Sequence, residues 1–179
     1  MRSRFWLSLA AAAFGAGLLV TAGLRAQAPA PPPPPSVKVG QAAPDFTASY
    51  LTAPDANSRR QRQQVKLRDF TGQKNVVLAF FPAAFSVGCT HEMAQYQETS
   101  GQFNAHNTVI LGMSVDSPWA NAAFAEKLGV QFTILSDATR DISRAYGVFD
   151  DEHVVARRTT FVIDRQGTVQ QVFMALEAL

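Results

Sequence analysis

The sequence predicts an α/β fold, a mixed central sheet flanked by helices, set behind an N-terminal signal or anchor segment. Three observations carry this. Apolar runs of strand length alternate with stretches of helical spacing between Asn75 and Gly147. Two further strand-like runs close the chain around a tight turn, and an uncharged stretch behind two arginines opens it. At 179 residues, 47% hydrophobic and 17% charged, the chain is long enough for one domain with its own core and too apolar to stay disordered. No internal repeat is visible.

Arg2 and Arg4 precede FWLSLAAAAFGAGLLVTAGL at 5–24, a positive n-region followed by an apolar h-region. The run is also long enough to cross a bilayer as a helix. Residues 1–28 therefore read as a cleaved signal peptide or a retained anchor tethering the chain through 5–24, with cleavage preferred. Ala26-Gln27-Ala28 fits the small-x-small rule, although Pro29 follows it, and Val20-Thr21-Ala22 offers a second site. No cysteine lies near this region to take a lipid. Charge ahead of the apolar run keeps the extreme N-terminus inside, so the folded part is expected outside the cytoplasm, periplasmic or anchored facing the periplasm. Removing the leader takes away three of the 16 basic residues and none of the 14 acidic ones, so the formal charge falls from +2 to −1. That argues against a nucleic-acid partner. The proline-rich linker at 29–36 is expected to be an extended spacer.

From 37 to 179 the chain reads as one domain. VGQAAPDF at 39–46 reads as a surface strand or turn leading into the fold. LTAPDANSRRQRQQ at 51–64 is polar and turn-rich, with Arg59, Arg60 and Arg62 clustered, and reads as an exposed loop; contact with an anionic membrane or partner is the lesser alternative. VKLRDFTG gives a short alternating segment before NVVLAFF at 75–81, the first strong strand. Beyond it, Met93, Tyr96, Ser100 and Phe103 recur at spacings of three and four, as on an amphipathic helix. TVILGMSVD at 108–116 is a second buried strand. Ser117 then serves as N-cap and Pro118 as first helical residue of a helix that Gly129 closes. QFTILSD is a short strand and RDISRAYGV a short helix ending at Gly147. TTFVID and TVQQVFMA, joined by Asp164-Arg165-Gln166-Gly167, form a hairpin. Strands alternating with helices imply a parallel core with right-handed crossovers, and the hairpin adds antiparallel pairing. This is a mixed α/β sandwich of the thioredoxin type.

FFPAAFSVGCTHEM at 80–93 holds the one cysteine of the sequence, Cys89. A lone thiol forms no internal disulfide, and in an oxidising compartment it is a liability unless buried or used. Placed in the first turn of a helix, Cys89 faces unpaired backbone N–H groups and the positive end of the dipole, which favour a thiolate, the reactive form. Ser86, three residues back, can set a hydroxyl near the sulfur or a substrate oxygen. Pro82 has no N–H and stiffens the turn, and Glu92 in the same first turn can hold a cationic group. The plain alternative is an inert, space-filling cysteine. The strand-to-helix junction, the export signal and the missing partner thiol weigh against it.

Pro82-Ala83-Ala84-Phe85-Ser86-Val87-Gly88-Cys89 resembles the PxxxT/SxxC signature of peroxiredoxins, the alkyl hydroperoxide reductase/thiol-specific antioxidant family. VGQAAPDF, VVLAFFP, SVDSPWANAAFAEKLGVQFTILSD and AYGVFDDE resemble further segments, so the likeness covers nearly everything from Val37 on. In Arg158-Thr159-Thr160-Phe161 the arginine falls where the family has its active-site arginine, and Arg157 is the neighbour to exclude. The resemblance implies a peroxidase in which Cys89 attacks the terminal oxygen of a peroxide substrate, Arg158 and Ser86 hold the thiolate and the peroxide, and backbone N–H groups stabilise the departing oxygen. The product would be a sulfenic acid on Cys89. With one cysteine, this is the one-cysteine type, re-reduced by an external thiol or a thioredoxin-like reductant through a mixed disulfide. A homodimer is also implied. The family usually continues past its last strand into a terminal helix, whereas this sequence stops at ALEAL.

Other chemistries find less support. His91, His106 and His153 are scattered, and Cys89 with His91 makes no metal site. No phosphate loop or paired catalytic acids stand out, so neither cofactor nor metal is expected. Asp116, Asp137 and Asp164 end strands and read as turn or cap residues. A non-catalytic thioredoxin-like binding or chaperone module would not need Pro82, Ser86, Cys89 and Arg158 together. A disulfide reductase needs a second cysteine.

Overall fold

The structure is a computed structural model that describes residues 33–175. The signal or anchor segment 1–28, the linker as far as residue 32 and the last four residues of ALEAL lie outside the described residues. Among the described residues no helix is long and apolar enough to cross a membrane.

The chain runs β1 (Thr47–Leu51), β2 (Arg62–Lys66), β3 (Asn75–Phe80), α1 (Val87–Ala105), β4 (Thr108–Ser114), α2 (Pro118–Leu128), β5 (Thr133–Ser136), α3 (Asp141–Ala145), the short pair β6 (Phe149–Asp150) and β7 (Val155–Ala156), then β8 (Thr159–Ile163) and β9 (Val169–Met174). Seven strands form one sheet in the order β2-β1-β5-β4-β3-β8-β9. Strands β3, β4 and β5 are parallel, while β8 runs antiparallel against β3 and β9 against β8. The mixed sheet flanked by helices is the thioredoxin-like fold read from the sequence.

Both faces of the sheet are buried, which is why its central strands are continuously apolar rather than alternating. Along β3, Val76, Leu78 and Phe80 enter one core with Leu111, Met113, Tyr146 and Phe161. On the other face Ala79, followed by Phe81 just past the strand, enters a second core with Cys89, Met93, Phe124 and Ile134. This is the period of two expected of a strand. Helices α1 and α2 supply the second core, while Tyr146 at the end of α3 packs edge-on to Phe161 at 5.0 Å in the first. Burying each such side chain is worth about 1.5–3 kcal/mol, so both faces contribute to stability.

The helix ends follow local chemistry. Ser117 Oγ accepts the N–H of Ala120 at 3.2 Å, Pro118 takes the first helical position, and Gly129 closes α2 in the left-handed conformation, φ 66°. Asp164 Oδ1 accepts the N–H groups of Gln166 and Thr168, both at 2.9 Å, and fixes the turn of the final hairpin.

Of the two readings of 39–46 the structure shows the turn, and the segments that differ from expectation are 51–64 and the linker. Residues 39–46 turn at Val39 and Gly40 and make one isolated bridge between Ala42 and Thr168 before the first strand, β1. The stretch 51–64 is not simply an exposed loop, since its ends belong to the β1–β2 hairpin, paired from Thr47↔Lys66 to Leu51↔Arg62. Strand β2, RQQVK, is a polar edge strand with no apolar alternation to reveal it. Between the strands Asp55 Oδ1 accepts the N–H groups of Asn57 and Arg59 at 2.8 Å, and Arg60 pairs with Glu126 of α2. Arg60 is thus spent on tying the loop to the fold. The linker also reaches further into the domain than a spacer would, because Pro35 and Val37 are buried.

Candidate active site

The site forms where β3 ends. The Phe81 N–H still donates to Met113 O of β4 at 2.9 Å, and the buried Pro82, which has no N–H, terminates the pairing. The chain then turns through Ala83, Ala84 and Phe85, the last at φ 68°. Ser86 is the N-cap of α1, and its Oγ accepts the N–H of Cys89 at 3.4 Å. Cys89 is therefore the third residue of a 19-residue helix, with its side chain turned inward and 0% exposed. The first-turn N–H groups of such a helix have no carbonyl within the helix to accept them and present partial positive charge.

Arg158 arrives from the other end of the sequence by strand register. Antiparallel pairing sets Thr159 opposite Phe80, so the preceding residue lies at the end of β3 where α1 begins. The Arg158 Nη2 lies 3.5 Å from Cys89 Sγ, and Nη1 donates to the Glu92 carboxylate. The guanidinium is mostly buried, at 20% side-chain exposure, as is Glu92 at 19%. Burial works against the Arg158 charge, but the Glu92 carboxylate and then the Cys89 sulfur more than offset it, so its pKa rises above the ordinary arginine value. A permanent cation is thus held against the sulfur by a carboxylate one turn along the same helix. Arg157 points elsewhere and donates to Gly147 O.

The structure brings Cys89, Arg158, Ser86 and Glu92 together around the first turn of α1, with Pro82 at the entrance to that turn. Two supporting residues escaped sequence reasoning. A Cβ on Gly88 would lie 2.9 Å from Arg158 Nη2, so glycine leaves the room the guanidinium occupies. Tyr96, two turns after Cys89, shares a 2.9 Å hydrogen bond with Thr160 of β8, two residues beyond Arg158. Burial, with Glu92 nearby, raises the Tyr96 pKa against the lowering effect of the Thr160 bond, so the phenol stays neutral. The bond ties α1, which carries Cys89, to β8, the strand that Arg158 precedes.

A cleft of about 590 Å³ lined by Asp45, Phe46, Arg62, Asp137 and Tyr146 does not include Cys89. Its buried carboxylate, Asp137, is engaged by the N–H groups of Ile142 and Ser143 and by the Ser143 hydroxyl, which is cap chemistry. Among the described residues no group of His, Cys, Asp and Glu is arranged to hold a metal ion.

Residues 39–172 match the model of the AhpC/TSA family. The chain is 40% identical over 122 residues to an alkyl hydroperoxide reductase E of Mycobacterium tuberculosis, covering 66% of this chain and 80% of that protein. Among solved structures, the reduced 2-Cys peroxiredoxin of Plasmodium vivax superposes with a TM-score of 0.68 at 31% identity, over 76% of this chain and 85% of the other. The peroxidoxin BcpB of Mycobacterium tuberculosis gives 0.64 at 30% identity, over 77% and 86%. With its strand-to-helix cysteine and converging arginine, the chain belongs to the AhpC/TSA peroxiredoxin family and is a thiol-dependent peroxidase.

Proposed function

We propose that Cys89 reduces hydrogen peroxide or organic hydroperoxides through a sulfenic acid, and that an external thiol restores it. The observation that carries this is the Arg158 guanidinium held between Glu92 and the Cys89 sulfur at a helix N-terminus. The thiolate attacks the terminal peroxide oxygen, a sulfur–oxygen bond forms, the O–O bond breaks and the alkoxide or hydroxide leaves with its electron pair, taking a proton to become alcohol or water. Arg158 and the first-turn N–H groups favour the negative charge as it moves from sulfur to the leaving oxygen. The Ser86 oxygen is occupied as an acceptor by the Cys89 N–H, so its hydroxyl proton remains to donate to a peroxide oxygen. One reductant thiol then displaces water from the sulfenic acid, giving a mixed disulfide, and a second releases Cys89. Since Cys89 is the one cysteine of the sequence, both thiols come from outside, for instance from a thioredoxin-like reductant.

The leader supports export, placing this chemistry in the periplasm with or without a membrane tether through residues 5–24; fractionation of cells making the full chain decides it. A homodimer is the assembly we favour, read by light scattering.

Stopped-flow mixing of the reduced protein with hydrogen peroxide and with an organic hydroperoxide tests the chemistry. One sulfenic acid per chain is expected, trapped as a dimedone adduct, and none in Cys89→Ser. Arg158→Ala should slow the reaction by about 10²-fold or more, consistent with the loss of a charge-stabilising donor. A Cys89 no faster than a free thiol at the same pH would instead favour a non-catalytic binding module.

A further inference from the structure

The turn that carries Pro82 and Ser86 has no regular secondary structure, yet it must hold still for the thiol behind it to keep its geometry. Its own closure is weak, a Ser86 N–H to Ala83 O bond of 3.4 Å, and Phe85 sits in a left-handed conformation that a bulky residue adopts only when its surroundings impose it. Two restraints come from outside. The Phe85 ring packs on Phe124 of α2 at 5.2 Å. The Ala84 N–H donates to Asp116 Oδ2 at 2.8 Å, a charge-assisted bond from just beyond the end of β4.

Asp116 is itself anchored. Its N–H donates to Ser114 Oγ at 3.2 Å, and the Ser136 hydroxyl of β5 donates to its carbonyl at 2.6 Å. The Ser114 hydroxyl has one proton for two acceptors, Asp116 Oδ2 at 2.9 Å and the Asn121 side-chain oxygen at 3.0 Å. Asn121, buried in α2, donates in turn to Leu135 O at 2.9 Å. The carboxylate therefore stands on a hydrogen-bonded platform made by the ends of β4 and β5, and it reaches across to the turn before Cys89. Ala84, the residue it holds, packs against the core cluster that contains Cys89.

We propose that Asp116 is a positioning residue for the peroxidase reaction, pinning the turn at 83–86 so that the Ser86 cap stays closed over a buried Cys89. The proposal rests on the peroxidase reading and deepens it. A thiol with no exposed surface is reached by a small peroxide far more easily than by a thiol carried on another molecule. Holding the turn favours the first reaction and releasing it favours the second.

The test compares wild type, Asp116→Ala and Asp116→Asn in two assays: the second-order rate with hydrogen peroxide, and labelling of native Cys89 by 5,5′-dithiobis(2-nitrobenzoate), a bulky disulfide. Loss of one charge-assisted bond corresponds to about tenfold in each. Asp116→Ala should lose that factor with peroxide and gain it in labelling, at unchanged circular dichroism. Asp116→Asn, which keeps an amide oxygen for the Ala84 N–H, should return both rates most of the way to wild type. Unchanged labelling in Asp116→Ala, or an asparagine variant no better than alanine, overturns the proposal. Hydrogen exchange of the Ala84 amide in the wild-type protein needs no variant: protection supports the pin, and exchange at the rate of an exposed amide overturns it. A wild-type thiol unreactive to peroxide would defeat the peroxidase reading, while the labelling and exchange arms would still read the pin.

Discussion

Gly88 shows how much of the site depends on one missing atom. The residue lies in the first turn of α1, where alanine would ordinarily favour the helix over glycine. Here an added Cβ would press on Arg158 Nη2, a group already tied to Glu92 and Cys89 and so poorly able to swing aside. Gly88→Ala is expected to lower the melting temperature despite the helix propensity of alanine, since it disturbs the mostly buried Arg158–Glu92 pair. The rate with peroxide should fall by about tenfold or more as the guanidinium is displaced from the sulfur. Differential scanning calorimetry and stopped-flow on the same preparation check this; a rate within threefold of wild type would show that the guanidinium accommodates the methyl group. The proline, serine and cysteine of the turn could be picked out from the chain because their chemistry depends on close sequence spacing. Gly88 could not, because its reason is a side chain 70 positions away that only the β3–β8 register delivers.

Among the elements, the final hairpin was legible and the first was not, and the difference is physical. Strand β8 is nearly all buried and announces itself by composition, and the turn after it carries the aspartate and glycine that such turns require. Strand β2 exposes most of its side chains, so nothing in RQQVK separates it from loop; it exists because β1 offers a partner. The hairpin turn also has a pH dependence that can be worked out. The N–H of Thr168 lowers the Asp164 pKa most; burial opposes it, and the side chain of Gln170, the N–H of Gln166 and the nearby Arg165 charge together hold the carboxylate below its ordinary value of 3.8. A carboxylate depressed in the fold contributes stability that is present above its ordinary pKa and is lost as pH falls through the depressed value. Asp164→Asn should therefore lower the melting temperature slightly at neutral pH, with the difference shrinking toward zero well below pH 3.8. The group is only half-buried, so salt should weaken the effect as well. A difference that does not vary with pH would mean that the asparagine acts through turn geometry alone.

At the scale of the whole molecule, the proline-rich linker is where expectation and structure part most instructively. Composition marks 29–36 as a spacer, and composition does not show where a spacer stops. The chain settles onto the fold earlier than the apolar pattern suggests. The Ser36 N–H donates to Tyr146 O and its hydroxyl to Ala145 O, both at 3.2 Å, with Pro35 and Val37 buried on either side. Gly147, φ 69°, makes this fit possible, since a Cβ there would lie 2.3 Å from the Ser36 backbone nitrogen. The same glycine's carbonyl accepts from Arg157, the neighbour of Arg158, and the Arg157 N–H donates to Val148 O at 2.7 Å. One corner thus fastens the N-terminal segment, the end of α3 and the strand that delivers Arg158 to the Cys89 sulfur. Gly147→Ala must both adopt a left-handed backbone, at a cost of about 1–3 kcal/mol, and push Ser36 away. The expected result is a melting temperature lower by roughly 2–12 °C, from about 2–4 °C per kcal/mol for a domain near 150 residues. Susceptibility to a protease cutting beside Val37 should rise with it, since the segment before the domain would no longer be held. The peroxide rate should fall less than in Arg158→Ala, because the disturbance reaches the guanidinium only through Arg157. If melting falls but the linker stays as resistant to cleavage as in the wild type, the strain is local to Gly147, and Ser36 is a passenger on the fold rather than its fastening.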